Sequence, residues 1–215
     1  MTNWLVEQQI VISFLLLILI ILEGKAIKSL GANVVYALWL LVPLLLIANN
    51  LPQDVISVDD KSIYRYLVEV GAATNEVNSS ISWDFLWLCG TFSILSLGAF
   101  AQWKIYRLTH LGSHKVALSA ALPKTLNVVS NKQLAGPVLS GIFKPTLLIP
   151  EGFHSQFSER QQQLMISHEL VHFHRGDNLF NLLALLFVAV FWFNPLTWLA
   201  YRAFRRSQEL ACDAA

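Results

Sequence analysis

Charge is what this chain has least of. Only 13% of its 215 residues are Asp, Glu, Lys or Arg, and 55% are hydrophobic. Soluble domains carry about 25% charged residues, so much of this chain is expected out of water. The formal net charge is +1, which leaves no basic surface for bulk nucleic-acid binding. The two cysteines are Cys89, in an apolar run, and Cys212, near the C-terminus. Two cysteines so placed exclude a disulfide framework. No Lys or Arg precedes the first apolar run, and Glu23-Gly24-Lys25 follows it where a cleaved signal would end in small residues. That run is expected to be a retained membrane helix. The chain also lacks a Gly-rich phosphate loop and a nucleophilic-serine elbow, which removes the chemistry those motifs carry.

What is present begins with three apolar runs. They are Ile10 to Leu22 (reaching back toward Trp4), Ala32 to Ala48 with Pro43 inside it, and Phe85 to Ala101 between Trp83 and Trp103. Each is near the lower limit of spanning length. A proline is tolerated in a membrane helix because neighbouring groups satisfy the freed carbonyl, and paired tryptophans suit the two interfaces. The expected spans are 4–22, 32–48 and 83–103, making residues 1–103 a membrane region. Its loop 49–80 holds Lys61 and Arg65 against Asp54, Asp59, Asp60, Glu69 and Glu76. Lys25 and Lys28 fall in the 23–31 connector, and Lys104, Arg107 and Lys115 follow the third run. The positive-inside rule then places the N-terminus and loop 49–80 outside, and everything after 103 in the cytoplasm.

Residues 104–215 are expected to form a cytoplasmic, membrane-associated α+β domain. Leu126 to Val129, Val138 to Phe143 and Thr146 to Ile149 are β-prone runs punctuated by Gly136-Pro137, Gly141 and Lys144-Pro145, which predicts a small sheet. Gly141, Ile142 and Phe143 are candidates for an edge that pairs with an extended substrate, as peptide grooves do; a purely structural hairpin is the alternative.

The chemistry concentrates in His168-Glu169-Leu170-Val171-His172. On a helix, positions i and i+4 share a face, so both imidazoles can reach one metal ion. Glu169 sits beside them as a general base. The helix is well specified. Ser158 and Gln161 form a capping box, Glu159 suits the positive end of the dipole, and Gly176 is a stop signal. A catalytic zinc takes three protein ligands and leaves one position open. Arg175 and Asn178 stand where the metzincin pattern needs Gly and His, which excludes that class. His174 points to another face. The best third ligand is Glu209, with Asp213 one turn later as its support; the alternative is an acidic pair offsetting Arg202, Arg205 and Arg206. Between the two clusters, Leu179 to Phe193 is nearly all apolar, but it spans only about 22 Å as a helix against a hydrocarbon core of about 30 Å. Asn194-Pro195 then breaks it. Residues 179–206 are therefore expected to form a re-entrant or in-plane hairpin that brings Glu209 back to the side of His168.

His168-Glu169-x-x-His172, Asp177, Trp192-Phe193-Asn194-Pro195-Leu196-x-Trp198, Arg202, Glu209 and Ala211-Cys212-Asp213, with Gly141 to Pro145 and Ile149-Pro150 upstream, resemble the bacterial BlaR/MecR-type membrane metallopeptidases. That resemblance implies a gluzincin-like zincin holding Zn2+ through His168, His172 and Glu209, with Glu169 as base. It implies residence in the bacterial inner membrane and cleavage of a cytoplasmic protein substrate such as a transcriptional repressor. Members of that family continue into another membrane helix and an external domain, so the expectation is the protease part without its sensor. The overall expectation is a mainly α membrane protein, with three transmembrane helices and a cytoplasmic α+β protease domain, whose partners are lipid and a protein substrate. The alternatives are a quality-control protease resembling the HtpX type, and a non-catalytic transducer braced by structural zinc. The intact Glu169 speaks against the last, since a structural site needs no base.

Overall fold

The computed structural model describes residues 2–50, 82–111, 113–115 and 122–214. All but the first two residues of the expected external loop 49–80 lie outside the described residues. In chain order the elements are α1 (Thr2–Leu30), α2 (Ala32–Leu38), α3 (Leu41–Asn49), α4 (Trp83–His110), β1 (His114–Lys115), β2 (Asn127–Asn131), β3 (Val138–Ser140), β4 (Thr146–Pro150), α5 (Phe153–Gln156), α6 (Glu159–Arg175), α7 (Asp177–Val190) and α8 (Pro195–Asp213). They divide into two compact units, Met1–Ser93 with Phe187–Ala211, and Ile94–Leu186 with Cys212–Ala215.

Three helical stretches, Trp4–Leu30, Ala32–Asn49 and Trp83–His110, are long and apolar enough to cross a membrane. These match the three expected spans, and each extends beyond its apolar run. None of the residues of α4 is buried, although Phe92 and Leu97 are among them, as suits a helix whose surroundings are apolar. The second span is interrupted. Pro43 has no N–H for the Trp39 carbonyl, and its ring clashes there. The chain tightens at Trp39-Leu40 into shorter bonds, with Trp39 N donating to Tyr36 O, and Leu40 N to Ala37 O.

In the first unit, Ile12, Leu16 and Leu19 of α1 are buried along one stripe. Polar pairs tie α1 to the end of α3. Trp4 Nε1 donates to Asn50 Oδ1 at 2.7 Å, and Asn49 Nδ2 to Gln8 Oε1 at 2.7 Å. Asn194 caps α8 by accepting from Leu196 N at 2.9 Å, with Pro195 at the first helical position, where its missing N–H costs nothing. The same side chain donates to Gln9 Oε1 and Ser13 Oγ of α1 at 2.8 and 2.9 Å. Lower down, Arg206 of α8 grips Glu23 of α1 with two bonds of 3.1 and 2.9 Å. The hydrogen bond to Glu23, and then its charge, hold the Arg206 guanidinium above its ordinary pKa. Trp192 donates to Trp87 O at 3.3 Å, Trp87 to Val190 O at 2.8 Å, and Trp198 to Trp192 O at 2.8 Å.

The second unit holds a mixed sheet in the order β1-β2-β4-β3. β2 and β4 are parallel, with Val129 opposite Leu148, while β1 on β2 and β3 on β4 are antiparallel. Leu147, Leu148 and Ile149 of β4 are all buried, the continuous apolar run of a strand covered on both faces. Leu126, Leu147, Ile149 and Phe153 pack with Ile166 of α6, and Leu170 and Phe173 extend the cluster. The strand expected to run to Phe143 ends at Ser140, because Gly141 takes a φ of +90° and turns the chain. Gly141, Ile142 and Phe143 therefore lie in the β3–β4 connection.

Among the described residues of the first unit, Gly90 is the tightest notch, since a Cβ there would stand 2.2–2.5 Å from the Trp192 indole. Gly90→Leu should destabilise the chain by about 1–3 kcal/mol through overpacking, read as a lower unfolding midpoint in detergent. Adding Trp192→Ala should recover much of the loss.

Candidate metal centre

The site is built on α6. Ser158 accepts from Gln161 N, and the Gln161 side chain accepts from Ser158 N, so the expected capping box is present. Gly176 ends the helix in the left-handed conformation at φ 67°. Between these ends, Ile166, Leu170 and Phe173 turn toward the sheet. His168 and His172, each two residues on from a sheet-facing position, fall on the other side. Glu169 lies at the flank, where its Oε2 accepts the Leu139 N–H of edge strand β3 at 2.8 Å.

The two imidazoles converge, with Nε2 atoms 3.2 Å apart. Two nitrogens on a tetrahedral zinc with bonds of 2.0–2.1 Å stand about 3.4 Å apart, so the pair fits such an ion with little movement. The remaining nitrogens are occupied. His172 Nδ1 meets Asp177 Oδ2 at 2.6 Å, and His168 Nδ1 lies 3.4 Å from Asp213 Oδ1. Carboxylates at Nδ1 set the tautomer in which Nε2 carries the lone pair that binds a metal. Asp177 is 1% exposed and also meets Arg175 Nε at 3.4 Å.

Cys212 joins the histidines. Its Sγ and one ring nitrogen from each of His168 and His172 all lie within 4.8 Å of one another. His174 faces elsewhere, with Nδ1 at 2.7 Å from Leu170 O. Glu209 belongs to the first unit, where it stands 3.7 Å from Arg205 Nη2 in the wall of a surface cavity of about 540 Å³ with Tyr201, Arg202 and Arg206. Gly141 O accepts from Asn178 Nδ2 at 3.0 Å, and Phe143 is 95% exposed. The contact of Asp177 with His172 was not assigned from the sequence. Its signals were an acid directly after the helix-stopping glycine and a place in the family-like pattern, neither of which names a partner.

A family model described as BlaR1 peptidase M56 matches residues 3–215. The chain belongs to this family. Over 82 residues, 38% of the chain, it is 33% identical to the regulatory protein BlaR1 of Bacillus licheniformis. Over 90 residues, 42% of the chain, it is 26% identical to the methicillin resistance mecR1 proteins of Staphylococcus aureus and Staphylococcus epidermidis. The matched stretches cover 14% and 15% of those relatives' own lengths. Three apolar helices of spanning length in a chain of the M56 peptidase family make this a membrane protein.

If Asp177 orients His172, Asp177→Asn should weaken zinc binding roughly 10–100-fold. Competition against a chromophoric chelator measures it. His172→Ala should abolish stoichiometric binding in the same titration.

Proposed function

We propose that this M56 chain is a membrane-embedded zinc endopeptidase that cuts a cytoplasmic protein, such as a transcriptional repressor, in a signalling response. One arrangement carries the reading. Glu169 sits on α6 beside two histidines whose Nε2 atoms face each other at 3.2 Å, and its carboxylate meets the outer edge of β3. A structural metal site has no use for such a base. The regulatory names of the relatives support a signalling role.

In this reading His168, His172 and Glu209 hold the ion, and Asp213 and Asp177 orient the imidazoles. Bound zinc supplies Lewis acidity at the scissile carbonyl and brings the pKa of water to about 7. The Glu169 carboxylate takes the proton of the attacking water and hands it to the leaving amine. The outer edge of β3, continuing through Gly141, Ile142 and Phe143, offers main-chain groups to an extended substrate. Residues 1–103 anchor the chain in the bacterial inner membrane, with the N-terminus outside. Residues 104–215 form the cytoplasmic protease domain, with 179–206 as an in-plane or re-entrant hairpin. The 14 residues of α7 reach about 21 Å, too short for a comfortable crossing.

Zinc titration and proteolysis together test the chemistry. Glu169→Gln should keep about one zinc per chain and lose roughly 10²–10⁴-fold in cleavage of any substrate the parent cuts. Glu209→Ala should weaken the metal. Activity near the parent level in Glu169→Gln would rule out that residue as the base, and full zinc retention in Glu209→Ala would remove it from the ligands.

Cysteine labelling tests the orientation. Lys132 and Arg202 are both exposed and serve as probes. In a background lacking Cys89 and Cys212, a cysteine replacing Asp59 should label from outside the cell. Cysteines replacing Lys132 and Arg202 should stay silent until the membrane is opened. Outside labelling at Arg202 with silence at Lys132 would break the hairpin reading.

A further inference from the structure

Cys212 is buried, 5% exposed, yet its thiol does not lie among aliphatic side chains alone. Its Sγ is 3.3 Å from the His168 carbonyl oxygen and 3.5 Å from His168 Nδ1. With one ring nitrogen from each of His168 and His172, it forms a trio whose ligand atoms all lie within 4.8 Å. Zinc spaces its nitrogen and sulfur ligands about 3.4–3.7 Å apart, so closing the trio on an ion held by the two Nε2 atoms requires the Cys212 side chain to turn from Nδ1 of His168 toward that pair. Thiolate is among the preferred ligands of zinc.

We infer that Cys212 is itself a ligand of the metal held by His168 and His172, and that its thiolate occupies the position that hydrolysis needs open. The inference rests on the metal reading proposed above. With Glu209 as the third ligand, Cys212 completes four protein ligands. That is the closed set of a structural site, whereas a catalytic site keeps three and one open position. Water and Cys212 then exclude each other, and the chain with Cys212 bound is latent. On binding, the S–H bond breaks, the proton goes to solvent, and the contact with the His168 carbonyl is exchanged for a sulfur–metal bond. On release the thiolate regains a proton and water enters. No oxidant or reductant takes part.

X-ray absorption at the zinc edge tests this on the full chain in detergent, with Cys89→Ala leaving one thiol. The expected result is about one zinc per chain with a sulfur at about 2.3 Å beside lighter atoms at about 2.0–2.1 Å. Cys212→Ser should lose the sulfur shell. Stoichiometric zinc with nitrogen and oxygen neighbours alone would overturn the Cys212 assignment and leave the metal site standing. A sulfur shell that survives Cys212→Ser would overturn it as well. If the Cys89→Ala chain holds no zinc, both readings fall. The spectrum of the Cys89→Ala chain decides even if Cys212→Ser does not fold.

Discussion

Helix α6 has to satisfy two surfaces at once. One stripe, Ile166, Leu170 and Phe173, must close the core under β4. The other must hold two imidazoles with both Nε2 atoms aimed at one point. The 3.6-residue period makes the two demands compatible, since a register that seats Ile166 and Leu170 on the sheet turns His168 and His172 away from it. The capping box at one end and Gly176 at the other leave the helix little freedom to slide or fray. Everything near the candidate site takes its position from that register: Glu169 against Leu139, Asp177 under His172, and Asp213 beside His168.

The apolar unit meets a different constraint. Polar groups away from water must find partners within the protein. Asn194 does this three times over, capping α8 while donating to Gln9 and Ser13 of α1. Glu23 is buried, and Arg206 answers it with two bonds. The Trp192 to Trp198 run, which marks the family resemblance, is therefore structural. Its indole N–H groups meet backbone carbonyls, and one ring fills the space that Gly90 leaves. These residues brace the first unit.

Much of this was legible in the sequence for identifiable reasons. Apolar runs long enough to span announce themselves by length alone. The His-Glu-x-x-His pair and its caps lie on one helix, where spacing dictates the face. The strand end at Ser140 was harder to read, because β-propensity continues into Ile142 and Phe143 and only the positive φ of Gly141 stops the strand. Asp177 escaped because its partner, His172, lies beyond a helix terminus, and helical periodicity carries no information past Gly176.

By itself, the sequence determined the local elements and the chemistry within a single helix: three apolar spans, a capped α6, two histidines on one face and a carboxylate at their side. Each depends on contacts a few residues apart, and backbone geometry sets those. Only the tertiary structure decided which carboxylate serves which imidazole, that Leu139 N–H faces Glu169, and that Cys212 stands with the histidines. Those pairings join residues from elements that meet by packing. The apolar cluster between α6 and the sheet, whose members come from separate stretches of the chain, packs Leu139 of β3 against α6 and so sets the contact of its N–H with Glu169.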